Sequence, residues 1–151
     1  MKYFLVLVAG VLLTATACNK DKFKTEPQVE VKSISPGTVV NGNIISLKGN
    51  YTDDEGDLDS VLLVYKWYNN AAIVRNDTFR FNFANLGLPD KVREADIQVL
   101  LEYNTQNQAN MVSIAGVSLR DTTASFGLLL IDKAGHRSNY AEAGKIRLKK
   151  P

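Results

Sequence analysis

The chain has 151 residues, of which 45% are hydrophobic and 23% are charged, and its formal net charge is +2. These proportions are those of an ordinary globular domain and exclude a disordered or fibrous chain. No run of Lys and Arg marks a nucleic-acid-binding face, so we predict no nucleic-acid partner. The length leaves room for one domain with a hydrophobic core rather than two.

Residues 1–18 have the layout of a secretory leader. Lys2 supplies a positive start, residues 3–13 are apolar, and small residues precede Cys18. The apolar stretch is too short to cross a bilayer as a helix, which needs about 20 residues. Cys18 is the sole cysteine, so it has no disulfide partner within the sequence. These features predict a signal peptide that ends at Cys18.

The small residues ahead of Cys18 resemble the lipobox of bacterial lipoproteins, although Ala15 stands where that family more often has leucine. The resemblance implies cleavage before Cys18 and acylation of this cysteine by lipid such as palmitate. We therefore predict a signal peptide over 1–17, a lipidated Cys18 with a flexible tether over 18–27, and one domain over 28–151. Asn19 lacks the aspartate that retains some lipoproteins at the inner membrane, which favours the outer membrane. An ordinary secretory leader is the alternative.

From Val29 onward, apolar residues recur with a period of two, which predicts β-strands. The predicted strands lie at 29–34, 44–51, 61–68, 78–83, 97–103, 126–131 and 140–148. Proline followed by good helix formers predicts a helical turn over 89–95. Polar residues over 105–123, with one apolar patch at 111–117, predict a long connection that contains one short strand.

About seven short strands separated by turn residues predict an all-β fold, an antiparallel β-sandwich. The strand order resembles that of immunoglobulin-like and fibronectin type III-like domains, without the disulfide of antibody domains. In such folds the third predicted strand often holds a core tryptophan, which here is Trp67. The alternative is a sugar-stacking surface of Tyr65, Trp67 and Tyr68. Strand alternation disfavours it, because Trp67 and Tyr68 point to opposite faces.

The densest charge in the sequence is the acidic run 53–59, which contains one glycine, Gly56. Carboxylate oxygens around a glycine turn are suited to Ca²⁺. In the sandwich order that the sequence resembles, the loop 132–138 emerges at the same end. The candidate calcium ligands are Asp53, Glu55, Asp57, Asp59 and Asp132. The alternative is a solvated acidic turn whose charge Lys133 and Arg137 neutralise.

Catalytic chemistry has little support in the sequence. His136 is the sole histidine, it lies in a turn, and no nucleophile motif accompanies it. We therefore predict a monomeric, non-enzymatic envelope lipoprotein that is held at a membrane and binds or scaffolds a ligand that the sequence does not identify, with another envelope protein or a glycan as the candidate partners. No cofactor is expected apart from the candidate Ca²⁺. The alternative function is a calcium- or glycan-binding accessory module.

Overall fold

The computed structural model describes residues 25–86, 91–105 and 111–151. The predicted signal peptide, Cys18 and most of the tether lie outside these residues. The described chain consists of strands joined by turns, with one short 3-10 helix. The elements are β1 (Gln28–Ser35), β2 (Thr38–Val39), β3 (Ile44–Thr52), β4 (Leu58–Asn69), β5 (Ala72–Asn82), the 3-10 helix (Phe83–Leu86), β6 (Glu94–Tyr103), β7 (Val112–Ile114), β8 (Thr122–Asp132), β9 (Ala141–Glu142) and β10 (Ile146–Leu148).

The strands form two sheets, which confirms the predicted all-β sandwich. One sheet has the order β1-β3-β6-β7, and the other has the order β2-β10-β8-β4-β5, with β9 beside β8. The prediction of a wholly antiparallel fold with about seven strands is wrong. β2 runs parallel to β10 and β7 runs parallel to β6, and the described residues contain ten strands. β2 and β7 are too short to produce an alternating pattern, and the last predicted strand is divided into β9 and β10.

Alternation decides which side chains enter the core between the sheets. On β3 and β4, the buried residues recur at every second position, as in Ile45, Leu47, Leu63 and Tyr65. β4 and β8 lie side by side within their sheet, where Leu63 is opposite Leu128. Full burial of one large apolar side chain contributes about 1.5–3 kcal/mol. β4 and β8 each have a neighbouring strand on both sides, and this central position accounts for their near-continuous apolar sequences.

Trp67 lies at the rim of this core, so the prediction of a core tryptophan is confirmed only in part. Its side chain is partly buried against the core cluster. The Arg75 guanidinium lies 4.7 Å from the centre of the indole ring. Among the described residues, no hydrogen-bond partner reaches the buried Nε1 atom of Trp67. The indole is thus held by packing and by the cation rather than by a hydrogen bond.

The predicted helical turn over 89–95 is wrong where the structure describes it; residues 89 and 90 lie outside the described range. β6 begins at Glu94, and Ala95 pairs with Tyr51 of β3. The Asp53 N–H group donates to the carbonyl oxygen of Arg93 at 2.7 Å. Pairing with β3 therefore extends this segment despite its good helix formers.

Strand register defines two ends of the sandwich. Gln28 pairs with Thr52, and Leu58 pairs with Asp132, so the start of β1 and the acidic loop lie at one end, here called the proximal end. The opposite, distal end contains the β4–β5 turn, the start of β8 and the end of β10, where Leu148 pairs with Thr122. No helix in the described part of the chain is long and apolar enough to cross a membrane.

Candidate functional site

Two buried carboxylates organise the loops of the proximal end. Asp53 and Asp132 are each 2% exposed. The Asp53 carboxylate accepts hydrogen bonds from the backbone N–H groups of Glu55 at 3.3 Å and Asp57 at 2.9 Å. Asp132 accepts the His136 N–H at 2.8 Å, and its other oxygen lies 2.7 Å from Nδ1 of the same histidine. These bonds offset the cost of burying the charges and close both loops.

The two loops are adjacent, as the sequence predicts. The Lys133 N–H donates to the carbonyl oxygen of Asp57 at 3.0 Å. The charge of Asp59 is offset mainly by Arg80 on β5, which donates to it at 2.7 Å, and less strongly by the charge of Lys133. That hydrogen bond lowers the pKa of Asp59. The acidic run in the sequence does not indicate Arg80, because Arg80 lies on β5, the strand that pairs with β4.

The five candidate calcium ligands reach the same end, but their carboxylates do not converge on one point. Within residues 25–86, 91–105 and 111–151, no group of three or more His, Cys, Asp or Glu side chains could hold a metal ion. Asp53 and Asp132 turn toward backbone N–H groups, and Asp59 pairs with Arg80. Glu55 is exposed, and one oxygen of Asp57 is buried without a described partner. Calcium binding stays a prediction from the sequence.

The contact between His136 and Asp132 makes stability depend on pH. The hydrogen bond to Asp132, followed by the charge of Asp132, raises the pKa of His136 above its ordinary value of 6.5. The stabilisation by protonated His136 is fully present below pH about 6.5 and is lost as the pH rises through the raised pKa. We expect the urea midpoint of the wild type to fall more between pH 6 and pH 9 than that of His136→Gln. Parallel falls in both proteins would contradict this role.

An apolar cleft of about 380 Å³ lies between β5 and β6. Its lining is aromatic and aliphatic, with Tyr51, Phe81, Phe83, Ile97, Val99 and Met111 among the contributors. β7 pairs with β6 only at Leu101–Tyr103. In the described chain, the outer edge of β6 from Glu94 to Leu100 therefore has no strand beside it. The side chains of the core are reachable from this edge.

A second cleft of about 410 Å³ lies at the distal end, and its lining is polar. It is lined by Tyr68, Asn69, Asn70, Arg120, Asp121, Thr122, Thr123 and Arg147. The Arg120 guanidinium donates to the side-chain oxygen of Asn69 at 2.6 Å. The Thr122 hydroxyl donates to the carbonyl oxygen of Tyr68 at 2.6 Å. The start of β8 is thus bonded to the end of β4 inside the cleft.

Cations surround this distal cleft. Asp121 accepts hydrogen bonds from Lys149 at 2.5 Å, Arg147 at 2.9 Å and the Lys150 N–H at 3.0 Å. These interactions, led by the Lys149 hydrogen bond, lower the pKa of Asp121 to about 2. The Lys145 ammonium lies 3.7 Å from the centre of the Tyr68 ring. Arg120 adds a further positive charge. The distal end is therefore basic, and the proximal end is rich in carboxylates.

The sequence contains only a weak indication of the distal cleft. Its residues come from the β4–β5 turn, from 120–123 and from β10, which no motif connects. The one signal is the concentration of Lys and Arg over 145–150. That run alternates with apolar Ile146 and Leu148, so its first reading is a strand rather than a binding surface.

Comparison with known proteins gives no family. No family model matches the chain, and no curated protein matches it. An alkylpurine DNA glycosylase from Pseudomonas fluorescens, solved bound to DNA containing an abasic site analogue, superposes with a TM-score of 0.44 at 13% identity over 79% of this chain and 30% of that chain. The sporulation control protein of Bacillus subtilis superposes with a TM-score of 0.37 at 8% identity, over 83% of this chain and 49% of its own.

A third solved structure is the PKD domain of an M14-like peptidase from a Thermoplasmatales archaeon. It superposes with a TM-score of 0.34 at 13% identity, over 83% of this chain and 93% of its own. The present chain thus spans less than half of the first two structures and nearly all of the third. Similarities of this size assign no function to the chain.

Proposed function

We propose that the chain is a lipid-anchored, non-enzymatic binding module of the bacterial cell envelope, held at the outer membrane through Cys18. The observation that supports this function is that Gln28, where the predicted tether joins the domain, and the distal cleft lie at opposite ends. β1 begins with Gln28 at the proximal end, whereas Arg120 and Arg147 line a cleft at the distal end. An anchor joined to Gln28 leaves that cleft at the end of the domain opposite the attachment point.

The tether has enough length to separate the domain from the lipid surface. Residues 19–27 reach at most ~30 Å when extended. One acyl chain holds a protein marginally, whereas two or three hold it firmly. The module is then confined to the membrane but is free to turn, and its partner is another molecule of the envelope.

The proposal includes an immunoglobulin-like arrangement of the strands. In that fold the first, second and fifth strands share one sheet, and the third, sixth and seventh share the other. β1, β3 and β6 lie together here, and β4, β8 and β10 lie together, with β5 added at the edge beside β4. The correspondence supports an immunoglobulin-like sandwich to which β2, β7 and β9 are short additions.

Binding rather than catalysis is favoured by the state of the ionisable groups. His136 is hydrogen-bonded to Asp132 in a proximal loop and lines neither of the two clefts described above. Asp121 does line the distal cleft, but its pKa of about 2 makes it a poor general base near neutral pH. The cleft offers positive charge and hydrogen bonds, which serve recognition.

Replacing Cys18 with serine tests the anchor. The wild type is expected in the membrane fraction, and Cys18→Ser is expected in the soluble fraction or as an uncut precursor, since the sulfur that carries the lipid is absent. Asn19→Ser is the matched control, because it changes the neighbouring residue and keeps the thiol. Wild-type protein in the soluble fraction, with an unmodified Cys18 by mass spectrometry, would contradict the anchor.

A further inference from the structure

We propose that the distal cleft binds an acidic oligosaccharide, with sugar carboxylate groups on Arg120 and Arg147. This inference deepens the proposed binding function and rests on it for its biological setting. The binding itself does not depend on the lipid anchor, so the two can fail separately. The inference is based on the charge of the cleft, the chemistry of its lining and the rigidity of its frame.

Two guanidinium groups in the cleft keep donors for a ligand. An arginine has five N–H donors. Arg120 donates one hydrogen bond to the side-chain oxygen of Asn69, a neutral partner, and Arg147 donates one to the carboxylate of Asp121. In the described residues, the charge of Arg120 therefore faces no carboxylate. A planar guanidinium binds a carboxylate through two parallel hydrogen bonds, which fixes orientation as well as charge.

The remaining lining favours a saccharide over an acidic peptide. Asn69, Asn70 and Thr123 present amide and hydroxyl groups that can both donate to and accept from sugar hydroxyls, and the Thr122 hydroxyl, which donates to Tyr68, can still accept. The centre of a protein–protein interface is instead apolar and aromatic. Tyr68 offers little such surface, since it is 9% exposed and Lys145 covers its ring. A volume of about 410 Å³ lies in the range of small-ligand sites.

The frame of the cleft is held in place before any ligand arrives. Tyr68 on β4 pairs with Thr123 on β8, and the Thr122 hydroxyl is bonded to the Tyr68 carbonyl. Asp121 is bonded to Lys149 and to the backbone of Lys150, which fixes the segment after β10. A backbone frame that is already ordered loses little entropy on binding, and this improves affinity.

The distribution of charge over the domain also favours the approach of an anion to the distal end. The acidic loops with Asp53 and Asp132 lie at the proximal end, and the cations gather at the distal end. An anionic ligand is repelled by the first and attracted by the second, which raises the rate of productive encounter at low salt. The net charge of +2 alone would not make an anion approach the distal end rather than the proximal end.

Isothermal titration of the full-length chain in a nonionic detergent tests the ligand class. The probe is trigalacturonate, compared with its trimethyl ester and with N-acetyl-triglutamate amide, which carries the same charge without sugar rings. We expect trigalacturonate to bind at least about tenfold more tightly than the ester, since a charge-assisted hydrogen bond is worth about that factor. We also expect it to bind more tightly than triglutamate, which has the same charge but lacks the sugar hydroxyls that the Asn and Thr side chains of the lining can bind. No binding of trigalacturonate overturns the proposal. Equal binding of the ester removes the role of charge, and tighter binding of triglutamate assigns the cleft to an acidic peptide.

Variants locate the binding. Arg120→Gln and Arg147→Gln are each expected to weaken trigalacturonate binding about tenfold or more, and Arg120→Lys is expected to restore only part of the loss. Arg93→Gln at the proximal end is the matched control, with the same change of net charge and an expected effect below about twofold. An equal loss in Arg93→Gln would show general attraction and overturn the site. Unchanged melting curves establish that each variant is folded.

The two proposals remain distinguishable. If Cys18→Ser is still cleaved and stays in the membrane fraction, the anchor fails and the titration stands. If trigalacturonate does not bind while Cys18→Ser releases the protein, the saccharide proposal fails and the anchored module stands.

Discussion

Replacing Tyr65 with alanine is expected to lower the free energy of unfolding by about 3–5 kcal/mol. The Tyr65 side chain is 1% exposed in the middle of β4. Its ring stacks against Phe79 at 5.6 Å and against Phe126 at 6.0 Å between ring centroids. Alanine would leave a cavity between two aromatic side chains on the neighbouring strands, and neither strand can move in without losing its pairing with β4.

Tyr65→Phe is the matched control for this loss. It keeps the ring and removes only the hydroxyl, which donates to Asp77 at 2.8 Å. Burial, aided by this hydrogen bond, raises the pKa of Tyr65 to about 12, so the hydroxyl stays protonated at neutral pH. We expect Tyr65→Phe to cost about 0.5–1.5 kcal/mol. Urea unfolding followed by Trp67 fluorescence measures both, and a loss below about 1 kcal/mol in Tyr65→Ala would contradict the packing described.

Replacing Gly49 with alanine is the second change for which we expect a large effect, a loss of about 3 kcal/mol. A Cβ atom at Gly49 would lie 2.4 Å from the carbonyl oxygen of Glu30 on β1. The neighbour is backbone, so no change of rotamer relieves the clash and β1 has to move away from β3. Overpacking of this kind costs about 1–3 kcal/mol and occasionally more.

Gly144→Ala is the control for the general effect of adding a methyl group, because no heavy atom lies within 4 Å of its ideal Cβ position. We expect a change within about 0.5 kcal/mol there. Thermal unfolding gives the stability of both variants, and amide hydrogen exchange shows whether β1 opens first in Gly49→Ala. Wild-type stability in Gly49→Ala would mean that β1 lies farther from β3 than the structure places it.

The strands were predictable wherever their alternation extended over several residues. The predicted strand 97–103 lies within β6, and 61–68 lies within β4. β5 begins at Ala72, well before the predicted start at Thr78, because its pairing with β4 continues back to Asn69. The sequence does not indicate this part of the strand, since Ala72 to Asp77 show little alternation of apolar residues. The partner of a two-residue strand such as β2 cannot be found from its own side chains, since the path of the whole chain brings it beside β10.

The candidate sites show the same limit. The acidic run was visible in the sequence, and its position beside the loop of Asp132 followed from the strand order. Whether a carboxylate accepts backbone N–H groups or binds a cation depends on the path of its own loop, as with Asp53 and Asp57. The distal cleft was not predictable, because Arg120 and Asn69 meet only after β4 and β8 have paired.

Strand β1 also determines how the domain responds to mechanical load. If the domain is anchored through Gln28 and holds a ligand at the distal end, as proposed, a force between the two acts along β1, since β1 starts at the proximal end and runs beside β3 up to Ser35. Antiparallel hydrogen bonds lie perpendicular to the strands. They are consequently loaded in shear and must break together rather than one after another. With the proposed anchor and ligand in place, the domain would therefore resist unfolding under a pulling force.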